Sequence, residues 1–268
     1  MSKAKKNGKQ QNFAVEKSKR NLCMQIILNL RSVGIFAAIF TSMQTSAFAL
    51  EYVKLTSRAG TPVFFMTGTI EADEFTRFRD NFANMQPVRE VWLSSGGGYV
   101  GPAIKIGRVL RSQNMIVRVP SVERLRAALD KSFSSLDRPT YEIFLDSRPT
   151  CESACGMILA GGKVRLIDVA RTVGVHSLSF KSNKFEEDKL IGTSARTGAD
   201  WVVHMTDMGI SRNYVNRALS VDPTCMYYLS AHEMVTWGVI NLPDRTPPDN
   251  SIIGTINPTD TDSCWIYR

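Results

Sequence analysis

Beyond its first 49 residues the chain has almost no net charge. The formal charge of the whole is +8. Lys3, Lys5, Lys6, Lys9, Lys17, Lys19, Arg20 and Arg31, set against Glu16 alone, place +7 of it in residues 1–49. The remaining +1 is too little for a nucleic-acid face on the body. Cysteine is scarce, at five residues, and no Cys/His pair stands at the spacing of a structural zinc site. The one triple-glycine turn lacks the Lys and Ser/Thr of a phosphate-binding loop and does not read G-x-G-x-x-G. Nucleotide binding is therefore not expected. No repeat or low-complexity tract stands out beyond the N-terminal segment.

That segment has the form of a secretory leader. A basic polar stretch ends at Arg31, the apolar run "VGIFAAIFTSM" covers Val33 to Met43, and Ala47 and Ala49 supply an A-x-A site. The run is short for a bilayer span. Residues 1–49 are read as a signal peptide, giving a periplasmic or secreted protein. The alternative is an uncleaved anchor that ties the chain to the inner membrane through residues 33–50. Cys23 leaves with a cleaved leader, and Cys151, Cys155, Cys225 and Cys264 remain. Four cysteines in an oxidising compartment favour disulfides over metal, with three pairings open.

Residues 50–268 read as one α/β domain. "YVKLT" and "PVFFMTGTI" are strands, and "ADEFTRFRDNFANM" is a helix with Phe75, Phe78 and Phe82 on one side and Asp73 near its start. "REVWLSS", the turn "GGG", "YVGPAIKIGRVLRSQ" and "MIVRV" form a strand–helix–strand crossover, which implies a parallel sheet. "SACGMILAGG" is a buried helix headed by Ser153, "VRLI" and "TVGVH" are short strands, and "ADWVVHMTDMG" and "SRNYVNRALS" are helices. Ser230 and Glu233 stand in capping-box spacing, with Gly238 as the C-cap. Two polar insertions, near 121–149 and 180–192, read as lids or surface loops.

Three features fit together as parts for acyl transfer. "SSGGGYV" places backbone N–H groups beyond a strand end, where an anion can sit. Ser153 heads an apolar helix, either as an N-cap or as a nucleophile. His176 ends an apolar strand and could act as its base.

In these motifs the chain resembles the Clp protease proteolytic subunit, within the ClpP/crotonase fold. "SSGGGYV" is similar to that family's oxyanion loop, "SACGMILAGG" to its nucleophile helix, "VGVH" to the segment ending in its base, and "VDPTCMYYLSAHEMVTWGVIN" to the segment carrying its aspartate. The likeness spans roughly residues 62–241 with the motifs in the family's order. It extends to exported ClpP-like proteins with a C-x-S-A-C motif. The resemblance implies repeated ββα units, a catalytic triad of Ser153, His176 and Asp222, and oxyanion donors at Gly97, Gly98 and Ala154. It implies a polypeptide substrate, no cofactor and assembly into homo-oligomers, to which the three phenylalanines of the first helix could contribute. Gly96 stands where the family has proline and Cys155 where it has glycine, and "DPTCM" lacks the charged pattern that follows the family's aspartate. An exported chain has no unfolding ATPase, so the expected activity is an ATP-independent peptidase. The alternatives are a ClpP-like binding or assembly module without catalysis, an acyl-CoA enzyme of the crotonase type, and a Ser–Lys dyad using Lys163 or Lys181.

Overall fold

A computed structural model describes residues 49–85, 87–133, 144, 148–179, 187–242, 244 and 265–266. The chain divides into two compact units, residues 1–47 and 48–268, and the described residues belong to the second. The expected signal peptide or anchor therefore lies outside the described residues. Among those residues no helix is long and apolar enough to cross a membrane.

The architecture is α/β. Strands β1 (Glu51–Thr56) and β2 (Pro62–Ile70) form an antiparallel hairpin, and helix α1 (Glu74–Asn84) follows. Then come β3 (Glu90–Gly98), α2 (Val100–Ser112), β4 (Ile116–Val119) and α3 (Val122–Ser132). After them stand β5 (Cys151–Glu152), α4 (Cys155–Ala160), β6 (Val164–Ile167) and β7 (Val173–Val175). Helices α5 (Glu187–Asp207) and α6 (Arg212–Ser220), strand β8 (Met226–Tyr228), α7 (Ala231–Thr236) and β9 (Trp265–Ile266) complete the order. A ββα unit is visible at β1–β2–α1 and again at β6–β7–α5, while the units between carry a single strand.

Strand β3 organises the sheet. Its first half, Glu90 to Trp92, pairs in parallel with β4, which in turn pairs with β6. Its second half leaves β4 and takes up β5: Ser95 faces Cys151, and Ser95 N–H donates to Thr150 O at 2.8 Å. From β5 the ladder continues in parallel to β7 and antiparallel to β8. Ligand sites of open α/β sheets favour such a change of partner near the strand ends.

Helix α1 buries Phe78 and Phe82 against Phe64, with Phe75 packed partly against the same core. Phe78 and Phe82 thus fill the chain's own interior, while Phe75 stays partly exposed. Asp73 makes no side-chain cap at its start. The buried carboxylate of Glu74 instead ties the chain leading into the helix to its surroundings, accepting from Glu71 N–H, Arg77 and, at 2.5 Å, Tyr52 OH.

The insertion expected near 121–149 is in part a packed element. Leu125, Ala128 and Leu129 of α3 recur at helical spacing and close over Leu55, Val63, Phe65 and Trp92 as a second core cluster. Ser121 caps the helix. The charged outer face made the segment read as a loop. Arg118 and Arg124 share Asp168, and Arg118 also reaches Glu90, which ties β3, β4, α3 and the end of β6 together. The 180–192 insertion likewise gives its last six residues to α5, and 180–186 lie outside the described residues.

A guanidinium holds the helix ends. Arg165, 3% exposed, donates to the carbonyls of Ala160, Gly162, Met208 and Gly238, and no carboxylate pairs with it among the described residues. These carbonyls follow α4, α5 and α7, where the helix dipole favours a cation. Burial, with help from neighbouring Arg111, pushes its pKa down to about 10.

Candidate functional site

Ser153 follows β5 directly and does not cap α4. The N-cap is Ala154, and no side chain caps this helix. Ser153 instead adopts φ +54°, the left-handed region. A non-glycine residue held there is strained, and such strain gathers at functional turns between strand and helix. Its N–H donates to Gly174 O of β7 at 2.9 Å, and its carbonyl accepts from Gly156 N–H. Its Oγ makes no hydrogen bond among the described residues. The residue as a whole is half-buried.

Beneath it runs the disulfide Cys151–Cys155, whose Cα atoms are 5.2 Å apart. Both cysteines are fully buried within the main core. The bridge closes the turn from strand to helix around Ser153 from the core side. Of the three pairings allowed by sequence, those separating Cys151 from Cys155 are excluded. Cys225 is also disulfide-bonded, and Cys264 lies outside the described residues.

The small residues of α4 fit the helix against its neighbours. A β-carbon on Gly161 would lie 2.2 Å from Gly107 O, and one on Gly107 would lie 2.4 Å from Met157 O. Backbones of α2 and α4 therefore touch, which only glycine allows.

The triple-glycine turn meets Ser153 directly. Gly97 has φ +97°, and a β-carbon on it would come within 2.7 Å of Ser153 Cβ and 3.0 Å of Ala154 N. Gly98, at φ +139°, lies hard against Ile70 O. Ser95 braces the turn: its hydroxyl donates to Gly68 O at 2.6 Å and accepts from Gly97 N–H at 3.1 Å. Ala154 N–H meets no acceptor among the described residues.

His176 stands one residue past β7. The β5–β7 register sets Cys151 beside Val173 and Glu152 beside Gly174, so Ser153 and His176 leave the ends of neighbouring parallel strands. His176 Nδ1 lies 2.6 Å from Ser177 O. With the proton on Nδ1 and donated to that carbonyl, Nε2 is a free base. Asp222 lies close by chain path, since Ser177 N–H donates to Val221 O. Its carboxylate is turned to its own loop, accepting from Thr224 N–H at 2.8 Å and Thr224 OH at 2.6 Å. Those two hydrogen bonds hold its pKa below the usual carboxylate value.

Two features of the site escaped sequence reasoning. Strand β5 is two residues long, too short for any periodic signal. Glu152, adjoining Ser153, accepts from Tyr228 OH at 2.6 Å across the glycine of β7. Among the described residues no group of three or more His, Cys, Asp or Glu side chains could hold a metal ion.

No family model and no curated protein matches the chain. Among solved structures it is similar to the 1510-N membrane-bound stomatin-specific protease, in a serine-to-alanine variant, at 12% identity and a TM-score of 0.41. That match covers 76% of this chain and 95% of the other. Likeness at that level leaves the chemistry of the site to its own geometry.

Proposed function

We propose that the chain is an exported serine hydrolase of ClpP-like fold, acting as an ATP-independent peptidase on accessible polypeptides. The observation that carries this is Ser153: an uncapping, left-handed serine set against Gly97, with an N–H left open on the next residue. In the proposed reaction Ser153 Oγ attacks the scissile carbonyl while His176 Nε2 takes its proton, later passing it to the leaving amine. Ala154 N–H receives the developing oxyanion. Gly97 N–H joins it by exchanging the neutral hydroxyl of Ser95 for a charged acceptor, a favourable trade. Ser177 O fixes the imidazole tautomer. Asp222 is the proposed third member, and it must turn from Thr224 to reach His176. Buried disulfide cysteines are in keeping with an oxidising compartment.

A binding module without catalysis is favoured by one observation, that Asp222 and Gly97 N–H both already have partners. A fluorophosphonate probe decides between them. Labelling of the wild type at Ser153, lost in Ser153→Ala and strongly reduced in His176→Ala, is the expected result. An unlabelled, folded wild type would overturn the hydrolase reading.

A further inference from the structure

Glu152 and Ser153 border consecutive residues of one turn. A β-carbon on Gly97 would strike Ser153, and one on Gly96 would have the Glu152 carboxylate, Oε2, as its nearest neighbour at 3.8 Å. The carboxylate is thus one residue along the same glycine strip from the hydroxyl. Its other oxygen, Oε1, accepts from Tyr228 OH. The row Gly96–Glu152–Gly174–Tyr228 crosses β3, β5, β7 and β8; the Met226 side chain covers Gly174, and bare backbone flanks the carboxylate on the Gly96 side. Glu152 is half-buried and enters no ion pair among the described residues. Glu74, Glu90 and Asp168 each meet an arginine, whereas Glu152, like Glu233 beside Tyr227, is held by a tyrosine hydroxyl.

Among the described residues the Glu152 carboxylate has a tyrosine hydroxyl as its partner and no cation, which leaves its charge available to a positively charged ligand group. We propose that Glu152 is a specificity residue of the site, binding a cationic group of the substrate, a lysine or arginine side chain or a free ammonium next to the scissile bond. The proposal rests on the hydrolase reading for the words "scissile bond", though the cation subsite itself does not. Tyr228 positions the carboxylate, and Gly96 keeps the approach open.

The test uses internally quenched peptides identical except for Lys, norleucine or Glu at each position flanking the cleaved bond. At the favoured position kcat/KM should follow Lys above norleucine by about 10–100-fold, the range one buried charge-assisted contact supports. Glu should be poorest. Glu152→Gln, which keeps shape, should collapse the preference while fluorophosphonate still labels Ser153. Tyr228→Phe should weaken it partly. Equal use of Lys and norleucine peptides by a labelled wild type would overturn the proposal. A second arm does not need turnover. In Ser153→Ala, fluorescence anisotropy should show the Lys peptide binding about tenfold more tightly than norleucine, less so as salt rises and not at all after Glu152→Gln. Such binding without any labelling of the wild type would retire the hydrolase reading and keep the cation subsite. No preference in that arm would remove the subsite.

Discussion

Gly97 and Ser153 are in backbone-to-side-chain contact, so close that a methyl group on the glycine would stand 2.7 Å from the serine Cβ and 2.8 Å from Glu152 O. Gly97→Ala would have to move β5 or the turn, and φ +97° opposes it as well. The expected cost is about 1–3 kcal/mol of stability, as for other overpacked sites. Probe labelling should disappear with it. Chemical denaturation and labelling on the same preparation check both.

Ser153 is strained and caps nothing, so its removal should not harm the fold. Ser153→Gly relieves the left-handed backbone and should raise stability by about 0.5–1 kcal/mol. A capping serine would instead lose about 1 kcal/mol on replacement by alanine. A rise in melting temperature in Ser153→Gly, with Ser153→Ala near wild type, is the expected pair of results. A fall in both would show that the hydroxyl supports the helix.

The Cys151–Cys155 bridge closes a loop of few residues, so chain entropy gives it about 2 kcal/mol. Its greater effect should be on the turn. The double variant Cys151→Ala/Cys155→Ala should fold and lose most probe labelling, since nothing then clamps the two ends of the turn around Ser153. Non-reducing peptide mapping of the wild type should recover the two cysteines in one crosslinked fragment. Their appearance in separate bridges would contradict the geometry.

His204 is fully buried in α5, with Nε2 on Met157 O at 2.9 Å and Nδ1 without a hydrogen-bond partner among the described residues. Burial lowers its pKa, the carbonyl of Met157 opposes this, and Arg108 adds to the lowering. The folded pKa thus lies below the unfolded value of about 6.5. The unfolded chain binds the proton more readily, so stability should fall as pH drops through about 6.5 and stop falling below the folded pKa. Comparing melting temperatures from pH 7.5 to 5 in wild type and His204→Gln checks it: the variant should be flatter. Because Met157 belongs to α4, the loss should be felt beneath Ser153.

Much of this was legible in sequence because it depends on periodicity and on residues with narrow roles. The phenylalanines of α1, the crossover from β3 through α2 to β4, and the Ser230–Glu233 capping box stand where the pattern put them, while the C-cap is Trp237 and Gly238, at φ +73°, follows it by one residue. The triple glycine and the serine of "CESAC" lie against each other in the fold, and close approach of that kind leaves few residue choices for a sequence to show. What stayed hidden depends on tertiary context. Two-residue β5 exists only because β3 changes partner at Ser95. Helix α3 hid behind Glu123, Arg124, Arg126 and Lys131, whose charges outnumber the three apolar residues that seat it. The hold of Thr224 on Asp222, and of Ser95 on Gly97 N–H, are local choices of rotamer that no spacing records.

Arg165 bears on how this molecule can change over time. All its acceptors are main-chain carbonyls, and every amino acid carries one of those. Substitutions at Ala160, Gly162, Met208 or Gly238 that keep the local path leave the clamp intact. No partner side chain has to change in step with the arginine. A lysine offers three donors from a single nitrogen and cannot span the ends of three helices at once. In a library of random variants selected only for folding, position 165 should therefore tolerate almost nothing but arginine while its contacts drift. The fixed point of this part of the molecule would be one guanidinium surrounded by interchangeable neighbours.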